Sequence, residues 1–313
     1  MGFYYYLDWV KSSVKKYAYA VSFGKDTFDT TQSNIADISI LLNSYQKISV
    51  REDSGVEICQ DTLNVNAIHL LDPTFLLSQE HYNRLIGDVK IGKLYICKYF
   101  LDSTECKDKL VDKIAAETHL AIVDNYPSKI NKYKGWISSK YRYPSIIEWL
   151  QNIRSADYVV TDSFHGMVFS LIYHKKFICI NNKKRGSTRF QSLLGALDLS
   201  YRLVDVEEFD FVGSGAGGNS VPNNSLHLQT LSYKSSQSKA SRAILAASHT
   251  ATEKVEYSSS VILAKTSCLG TPLSAKKGLL GWSRAIFSRV NTIPSATLVI
   301  SFGQQSPIKC SNG

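Results

Sequence analysis

Short runs of apolar residues alternate with longer segments of helical periodicity over the first two thirds of the chain. The short runs are rich in Val, Ile and Tyr, which favours β-strands. They predict strands at residues 16–22, 47–51, 67–71, 93–99, 119–123, 157–161 and 176–180.

The segments between these runs predict helices. Residues 32–45, 104–118 and 144–156 carry apolar side chains at helical spacing, and Thr104 provides an N-cap signal. A further helix is expected to start at Met167. Alternation of strand and helix is typical of parallel sheets, and their ligands bind beyond the carboxyl ends of the strands. The pattern therefore predicts an α/β protein with Rossmann-type parallel sheets.

The composition changes near residue 210. Residues 211–313 contain 20 serines, ten basic residues and two acidic residues, and they show no sustained periodicity. We expect this irregular, basic tail to be poorly ordered. The remainder of the 313 residues is long enough for two hydrophobic cores, and we predict domains at 1–75 and 76–210.

The net charge of +9 belongs mainly to the tail, because residues 1–210 carry 26 basic and 25 acidic residues. The two predicted domains therefore lack the general basic face of a nucleic-acid-binding protein, and we expect no nucleic-acid partner.

The cysteines and the apolar runs argue against two further classes of protein. The six cysteines form no CxxC pair and no histidines lie at zinc-ligand spacing, so we expect no metal site. No apolar run reaches the roughly 18–20 residues of a membrane span. The N-terminus does not have the pattern of a secretory signal. We therefore expect a cytoplasmic protein.

A polar gap at residues 162–166 separates a predicted strand from a predicted helix and contains Ser163 and His165. The gap lies at the expected ligand-binding edge, where Gly166 permits close backbone approach and free N–H groups attract anions. His165 could donate a proton there. The alternative, an ordinary turn with a surface histidine, is equally open.

A basic loop follows the predicted strand at 176–180 and places Lys183, Lys184, Arg185 and Arg189 around a glycine. Such a set of donors suits a ligand with two acidic groups. The alternative is a solvated basic loop.

Polar residues also end the strands near the N-terminus. Arg51 is expected to face the same cleft from the opposite side, although Glu52 or Asp53 could instead cap a helix and pair with Arg51. The turn at residues 22–24 could approach a ligand through its backbone. We interpret Asp72 as part of a hinge between domains.

Five motifs occur in a familiar order: YAVSFG, ISVREDSGVEIC, LLDPTFLL, ADYVVTDSFHGMVFSLIYHKKF and RGSTRFQSLLGALDLSYRLV. Over about residues 3–207 the chain resembles the polysaccharide pyruvyl transferase family. The resemblance implies a GT-B-like enzyme with two Rossmann-type domains. It also implies an incomplete first domain, because this chain starts after the family's usual first strand and glycine turn, and a largely complete second domain. The serine-rich tail replaces the family's usual charged C-terminal helix.

The resemblance further implies transfer of the enolpyruvyl unit of phosphoenolpyruvate onto a sugar as a cyclic ketal. The acceptor would be a glycan or a lipid-linked precursor in cell-envelope synthesis, which allows peripheral association with a membrane-bound acceptor. His165 would be the general acid, with Arg51, Ser163, Lys183, Arg185 and Arg189 binding substrate. No cofactor is expected besides the donor substrate.

Two other functions fit the same residues. A GT-B glycosyltransferase with a nucleotide-sugar donor would also use a histidine at a strand–helix turn and a basic loop for a diphosphate. A chain that lacks part of one domain could alternatively be an inactive fragment or a pseudoenzyme.

Overall fold

The computed structural model describes residues 3–88, 92, 94–126, 128–129, 141–206, 261–266 and 297–302. In chain order its strands are β1 (Lys15–Val21), β2 (Tyr45–Val50), β3 (Ile68–His69), β4 (Tyr95–Tyr99), β5 (Ala121–Asp124), β6 (Ser128–Lys129), β7 (Tyr141–Arg142), β8 (Tyr158–Thr161), β9 (Lys176–Ile180), β10 (Leu203–Val204), β11 (Val261–Thr266) and β12 (Thr297–Phe302). Its α-helices are α1 (Gln32–Asn43), α2 (Asp53–Glu57), α3 (Gln79–Ile86), α4 (Glu105–Thr118), α5 (Ile146–Ser155), α6 (Phe164–Ile172) and α7 (Thr188–Ala196). A π-helical segment, Ile58–Thr62, continues α2, and short 3₁₀ turns lie at Tyr4–Tyr6, Pro73–Leu76, Lys183–Arg185 and Ser200–Arg202.

All the strands predicted from the apolar runs are present, as β1 to β5, β8 and β9, with ends within about two residues of the predicted ones. The three long predicted helices are present as α1, α4 and α5. Thr104 is the N-cap of α4, and its Oγ1 accepts a hydrogen bond of 3.4 Å from Lys107 N. Ser145 and Glu148 form a reciprocal capping box at the start of α5.

The strands form two five-stranded sheets, each wholly parallel. The order of the first sheet is β11–β12–β1–β2–β3, and that of the second is β10–β9–β8–β4–β5. The strands β6 and β7 form a separate antiparallel pair. The structure confirms the predicted α/β class with Rossmann-type parallel sheets.

Two strands come from the region in which the sequence predicts poor order. β12 pairs with β1 in parallel, Lys15 opposite Thr297, and β11 pairs with β12. Except for these two strands, residues 211–313 lie outside the described residues, and the predicted poor order there stays a prediction.

The chain divides into two compact units. Unit 1 takes its described residues from Met1–Leu76, Lys183–Leu193 and Ile244–Gly313, and unit 2 takes its own from Leu77–Asn182 and Leu194–Ala243. The predicted boundaries, 1–75 and 76–210, put Lys183–Leu193 in the second domain. The contacts of this segment with the turn after β1 and with α2 instead assign it to unit 1. Contacts between residues so distant in sequence leave no trace in local periodicity.

Each unit has its own hydrophobic core. In unit 1, Val50 and Leu63 are fully buried and pack with Leu42 of α1. In unit 2, Ile96 and Val160 of the central strands are fully buried beneath α4. Burial of each large aliphatic side chain contributes about 1.5–3 kcal/mol. These cores fix the strands, and therefore fix where the residues after each strand lie.

Candidate functional site

The carboxyl edge of the second sheet is organised around Asp162, which follows β8 and is 1% exposed. Its Oδ1 accepts a hydrogen bond of 2.6 Å from Leu101 N. Its Oδ2 accepts hydrogen bonds from Lys107 Nζ at 2.7 Å and from Asn182 Nδ2 at 3.1 Å. These donors come from the ends of β4 and β9 and from α4. Asp162 therefore joins three neighbouring elements, and its charge is balanced within unit 2.

Helix α6 begins at Phe164, three residues before the predicted start. Ser163 is its N-cap, and Ser163 Oγ accepts a hydrogen bond of 3.4 Å from Gly166 N. Phe164 is buried, so the first turn of the helix is held by packing as well as by the cap. The polar gap seen in the sequence is therefore mostly the start of a helix, and His165 lies in its first turn.

Gly166 permits a close approach between α6 and the strands of its own sheet. A Cβ at this position would lie 2.4 Å from Thr161 Oγ1 and 3.1 Å from Tyr99 Cδ1. The close neighbours of Gly166 in the structure are side chains of the protein itself, and approach of a ligand to this backbone stays a prediction.

Ser163 is buried and forms hydrogen bonds with other residues of unit 2. Besides capping α6, it donates its N–H to Thr161 Oγ1 at 3.0 Å. Burial raises the pKa of Tyr99, and the hydrogen bond between the Tyr99 and Ser163 side chains opposes this rise. His165 is half-buried, with its ring 5.6 Å from that of Phe164 in an edge-to-face arrangement. The assigned roles of Ser163 and His165 stay predictions.

In unit 1, the carboxyl edge of the first sheet carries a buried arginine. Arg51, which follows β2, donates from Nη1 to Asp72 Oδ2. Asp72 Oδ1 in turn accepts hydrogen bonds from the N–H and the hydroxyl of Thr74. Arg51 and Asp72 are 6% and 2% exposed. Asp72, which the sequence analysis did not consider as a partner, thus forms a buried ion pair with Arg51.

Glu52 is fully buried beside Arg51 and binds the turn that follows β1. Its Oε1 accepts hydrogen bonds of 2.7 Å from Ser22 Oγ and 2.7 Å from Gly24 N. Glu52 is the residue before α2, yet its side chain does not cap that helix. The backbone of this turn, which the sequence suggested could meet a ligand, therefore gives its Gly24 N–H to Glu52.

The basic loop brings two arginines to the same edge of unit 1. Arg185 and Arg189 are half-buried, and Arg189 Nη2 donates to the Arg185 carbonyl at 3.0 Å. Lys183 lies in the same loop and is exposed. At the start of α2, Asp53 N donates to Ser192 Oγ of α7 at 2.9 Å, which holds the helix after the loop against unit 1.

Arg189 lies within the electrostatic influence of four charged residues of unit 1. Burial lowers the pKa of Arg189 to about 10. Arg51 and Arg185 lower it further, whereas Glu52 and Asp72 raise it. We call these five residues the arginine cluster. Its three guanidinium groups and two carboxylates leave an excess positive charge, which favours an anionic ligand.

The structure therefore groups the predicted site residues by unit. Arg51, Arg185 and Arg189 come together in unit 1, with Lys183 on the same loop, while Ser163 and His165 lie together in unit 2. The predicted convergence of His165 on the arginines stays a prediction.

Sequence reasoning missed three residues of these edges. Glu52 was considered only as a helix cap, Asp72 only as part of a hinge, and Lys107 was not considered. The available signal was position, since Glu52 follows β2 and Asp72 follows β3 at the same sheet edge. Lys107 gave no such signal, because its partner Asp162 is far away in sequence.

Within the described residues, no three His, Cys, Asp or Glu side chains are grouped so that they could hold a metal ion. No helix in the described part of the chain has the length and apolar character needed to cross a membrane.

The wholly parallel sheets, with polar residues at their carboxyl ends, define a Rossmann-type α/β protein of the kind that makes up GT-B-like enzymes. A family model described as polysaccharide pyruvyl transferase matches residues 1–184, more than half of the 313 residues. The chain belongs to the polysaccharide pyruvyl transferase family. Pyruvyl transfer to a polysaccharide or glycan acceptor is the activity that names this family.

The match ends just before Arg185, short of residue 207, where the motifs suggested that the resemblance ends. The family match therefore includes neither Arg185 nor Arg189, and it is the structure that groups them with Arg51. Comparison with curated proteins gave no match, and neither did comparison with solved structures.

Proposed function

We propose that this chain transfers the enolpyruvyl unit of phosphoenolpyruvate to two hydroxyl groups of a glycan, forming a cyclic ketal and releasing phosphate. The observation that carries this proposal is the arginine cluster at the carboxyl edge of the first sheet, in a chain of the pyruvyl transferase family. Phosphoenolpyruvate has a phosphate and a carboxylate, and arginines bind both groups with paired hydrogen bonds.

In this proposal the donor is bound by the basic loop. Arg185 and Arg189 supply the guanidinium groups, and Lys183 adds an ammonium group from the same loop. Arg51 is held by Asp72 and contributes its charge beside Arg189. Ser163 would contact substrate from the start of α6.

His165 would act as the general acid. Protonation of the CH₂ carbon of the enol makes C2 electrophilic, and one sugar hydroxyl attacks it. The second hydroxyl then displaces phosphate, so that both C2–O bonds of the ketal come from the sugar. Of the two hydroxyl protons released, one balances the proton given to the CH₂ carbon and the other leaves with phosphate or solvent. An imidazole with an unperturbed pKa of about 6.5 exchanges protons near neutral pH.

The acceptor in this proposal is a glycan or a lipid-linked sugar of the cell envelope, used in the cytoplasm. A lipid-linked acceptor would require peripheral association with the membrane surface. Co-sedimentation of the protein with vesicles, with and without such an acceptor, tests this part separately.

The acid assignment is tested by His165→Ala, with phosphate release from phosphoenolpyruvate measured over a panel of glycan and lipid-linked acceptors. We expect turnover to fall by roughly 10²–10⁴-fold while donor affinity is largely retained. His174→Asn is the matched control, because His174 is exposed just after α6 and Asn tolerates its φ of 52°. Turnover near that of the wild type in His165→Ala would remove the acid assignment.

The donor assignment is tested by calorimetric titration of Arg189→Ala with phosphoenolpyruvate. We expect affinity at least about tenfold weaker, as for loss of a charge-assisted hydrogen bond. Arg142→Ala is the control, since its side chain is 70% exposed and pairs with the nearby Glu148. Tighter binding of a uridine diphosphate sugar than of phosphoenolpyruvate would instead favour the glycosyltransferase alternative.

A further inference from the structure

Glu52 is a buried acidic residue to which the proposed reaction assigns no role. It is 0% exposed, and its Oε1 accepts two hydrogen bonds of 2.7 Å, from Ser22 Oγ and Gly24 N. Among the described residues, no group donates a hydrogen bond to its Oε2. A hydroxyl and a backbone N–H that converge on one oxygen are what a tight turn offers to a bound anion. Here the anion is a side chain of the protein.

The turn that Glu52 holds is in direct contact with the basic loop. A Cβ on Gly186 would lie 1.7 Å from the Gly24 carbonyl oxygen, and Gly186 has a φ of +88°. The two backbones therefore approach more closely than any side chain at position 186 would allow. Displacement of the Gly24 carbonyl would remove the surface against which Gly186 packs.

The contact at Gly186 fixes the segment that carries the arginines. Gly186 directly follows Arg185, whose carbonyl accepts the hydrogen bond from Arg189 Nη2 at 3.0 Å. Glu52 also acts on Arg189 through its charge. A continuous series of contacts thus runs from the Glu52 carboxylate through the turn at Gly24 to both arginines, all within unit 1.

We propose that Glu52 is a positioning residue, an internal anion that occupies the turn after β1 and thereby holds the backbone of the arginine loop in place for the donor. The effect on the donor rests on the proposed function, whereas the effect on the loop does not. It follows that the N–H group of this turn is occupied by Glu52, and that donor anions are bound by the loop instead.

The first test measures the loop without any substrate. Amide hydrogen exchange of residues 183–190, followed by mass spectrometry, is compared in wild type, Glu52→Ala and Glu52→Gln. We expect exchange to rise at least about tenfold in Glu52→Ala, because the loss of hydrogen bonds to a charged group removes this order of stabilisation. Glu52→Gln keeps a side-chain oxygen for Ser22 and Gly24 but loses the charge, so its exchange should rise less than that of Glu52→Ala. Equal exchange in wild type and Glu52→Ala would overturn the proposal.

The second test refills the site with a small anion. Formate is titrated into Glu52→Ala, where it can accept the hydrogen bonds that the carboxylate made. We expect formate to raise the melting temperature of Glu52→Ala and to restore slow exchange of the loop, with no specific effect on wild type. Equal effects of formate on both proteins would show that no anion site had been opened.

The third test links the loop to the donor and includes a control for stability alone. Leu63→Ala removes a fully buried side chain from the core of unit 1 and should lower the melting temperature while leaving phosphoenolpyruvate affinity unchanged. Glu52→Ala should weaken affinity at least about tenfold at a temperature where all variants are folded, and Glu52→Gln, which keeps the side-chain oxygen but not the charge, should weaken it less. Equal losses of affinity in Glu52→Ala and Leu63→Ala would show that Glu52 affects the donor only through the stability of unit 1, which would contradict the proposal.

Two outcomes separate this inference from the proposed function. If wild type does not bind phosphoenolpyruvate, the donor assignment fails, while exchange and formate rescue still decide the role of Glu52. If Glu52→Ala does not fold, Ser22→Ala removes one of the two donors to Oε1 and should give a smaller rise in loop exchange. Unchanged exchange in Ser22→Ala would then count against the proposal.

Discussion

In both units, the residues that follow neighbouring parallel strands carry buried charges, but the charges are balanced differently. In unit 2, Asp162 is surrounded by donors, and Lys107 neutralises it. In unit 1, Glu52 and Asp72 lie among three arginines, which leaves an excess positive charge. Two wholly parallel sheets of different strand order therefore carry one edge on which a buried carboxylate has its own cation and one on which arginines are in excess, which favours an anion. This difference suggests testing the unit 1 edge for donor binding and the unit 2 edge for structural support.

The largest expected effect comes from breaking the balanced pair of unit 2. Lys107→Ala leaves the Asp162 carboxylate, 1% exposed, without its cation. Removal of one partner of a buried ion pair costs about 3–5 kcal/mol. Urea denaturation followed by circular dichroism should show a clear fall in the unfolding midpoint.

The control for this prediction lies on the same helix. Lys109 pairs with Glu105 on the surface of α4, and its side chain is 56% exposed, so Lys109→Ala should leave the midpoint unchanged. Similar midpoints for Lys107→Ala and Lys109→Ala would show that the Asp162 pair is not a structural link.

A smaller effect is expected from forcing the arginine loop away from its turn. Gly186→Ala adds a Cβ where the Gly24 carbonyl lies 1.7 Å away, at a φ of +88°. Backbone strain of this kind costs about 1–3 kcal/mol. We expect a lower melting temperature and, from the displacement of Arg185 and Arg189, weaker phosphoenolpyruvate binding in a calorimetric titration.

Gly195→Ala is the matched control for the loop. Gly195 is an exposed glycine of α7, and a Cβ there would have its nearest neighbour 4.0 Å away. Gly→Ala at such a helical site stabilises by about 0.4–1 kcal/mol. A Gly186→Ala protein as stable as Gly195→Ala would contradict the close packing of loop and turn.

Local patterns were sufficient to predict the strand ends, and with them the sheet edges on which Arg51, Ser163 and His165 lie. The periodicity of each strand spans only a few residues, and parallel pairing then places the following residues at one edge. The start of α6 was predicted three residues too late, at Met167, and the reason was also local. Polar residues suggested a turn, whereas the cap at Ser163 and the burial of Phe164 extend the helix over His165.

The partners of the charged residues could not be predicted in this way. Arg51 pairs with Asp72, 21 residues later, and Lys107 pairs with Asp162, 55 residues later. The basic loop belongs to unit 1, and not to the second domain as predicted, because Gly186 contacts Gly24. Such contacts form only when the sheets are assembled, and a single sequence carries no periodic signal for them. The edges of the site were therefore predictable, but their balance of charge was not.

The smallest expected effect concerns the pH range in which the arginine cluster can bind phosphoenolpyruvate. Burial lowers the pKa of Arg189 to about 10, well below the ordinary value for a guanidinium group. Because only the protonated form attracts an anion, phosphoenolpyruvate affinity should be constant from pH 8 to 9. It should then fall as the pH rises through about 10, by up to about tenfold per pH unit above it.

The same lowered pKa acts on folding with the opposite sign. Below about pH 10 the buried charge of Arg189 lowers the free energy of unfolding. As the pH rises through about 10, the folded protein loses this proton before the unfolded chain does. The free energy of unfolding therefore rises while donor binding weakens. Calorimetric titration of phosphoenolpyruvate from pH 8 to 11 at constant ionic strength measures the binding part. Lysines also titrate in this range, so Arg189→Ala is the necessary comparison, and it should show weaker binding with a shallower dependence on pH. Identical slopes in the two proteins would assign the pH dependence to the lysines and leave Arg189 outside the anion site.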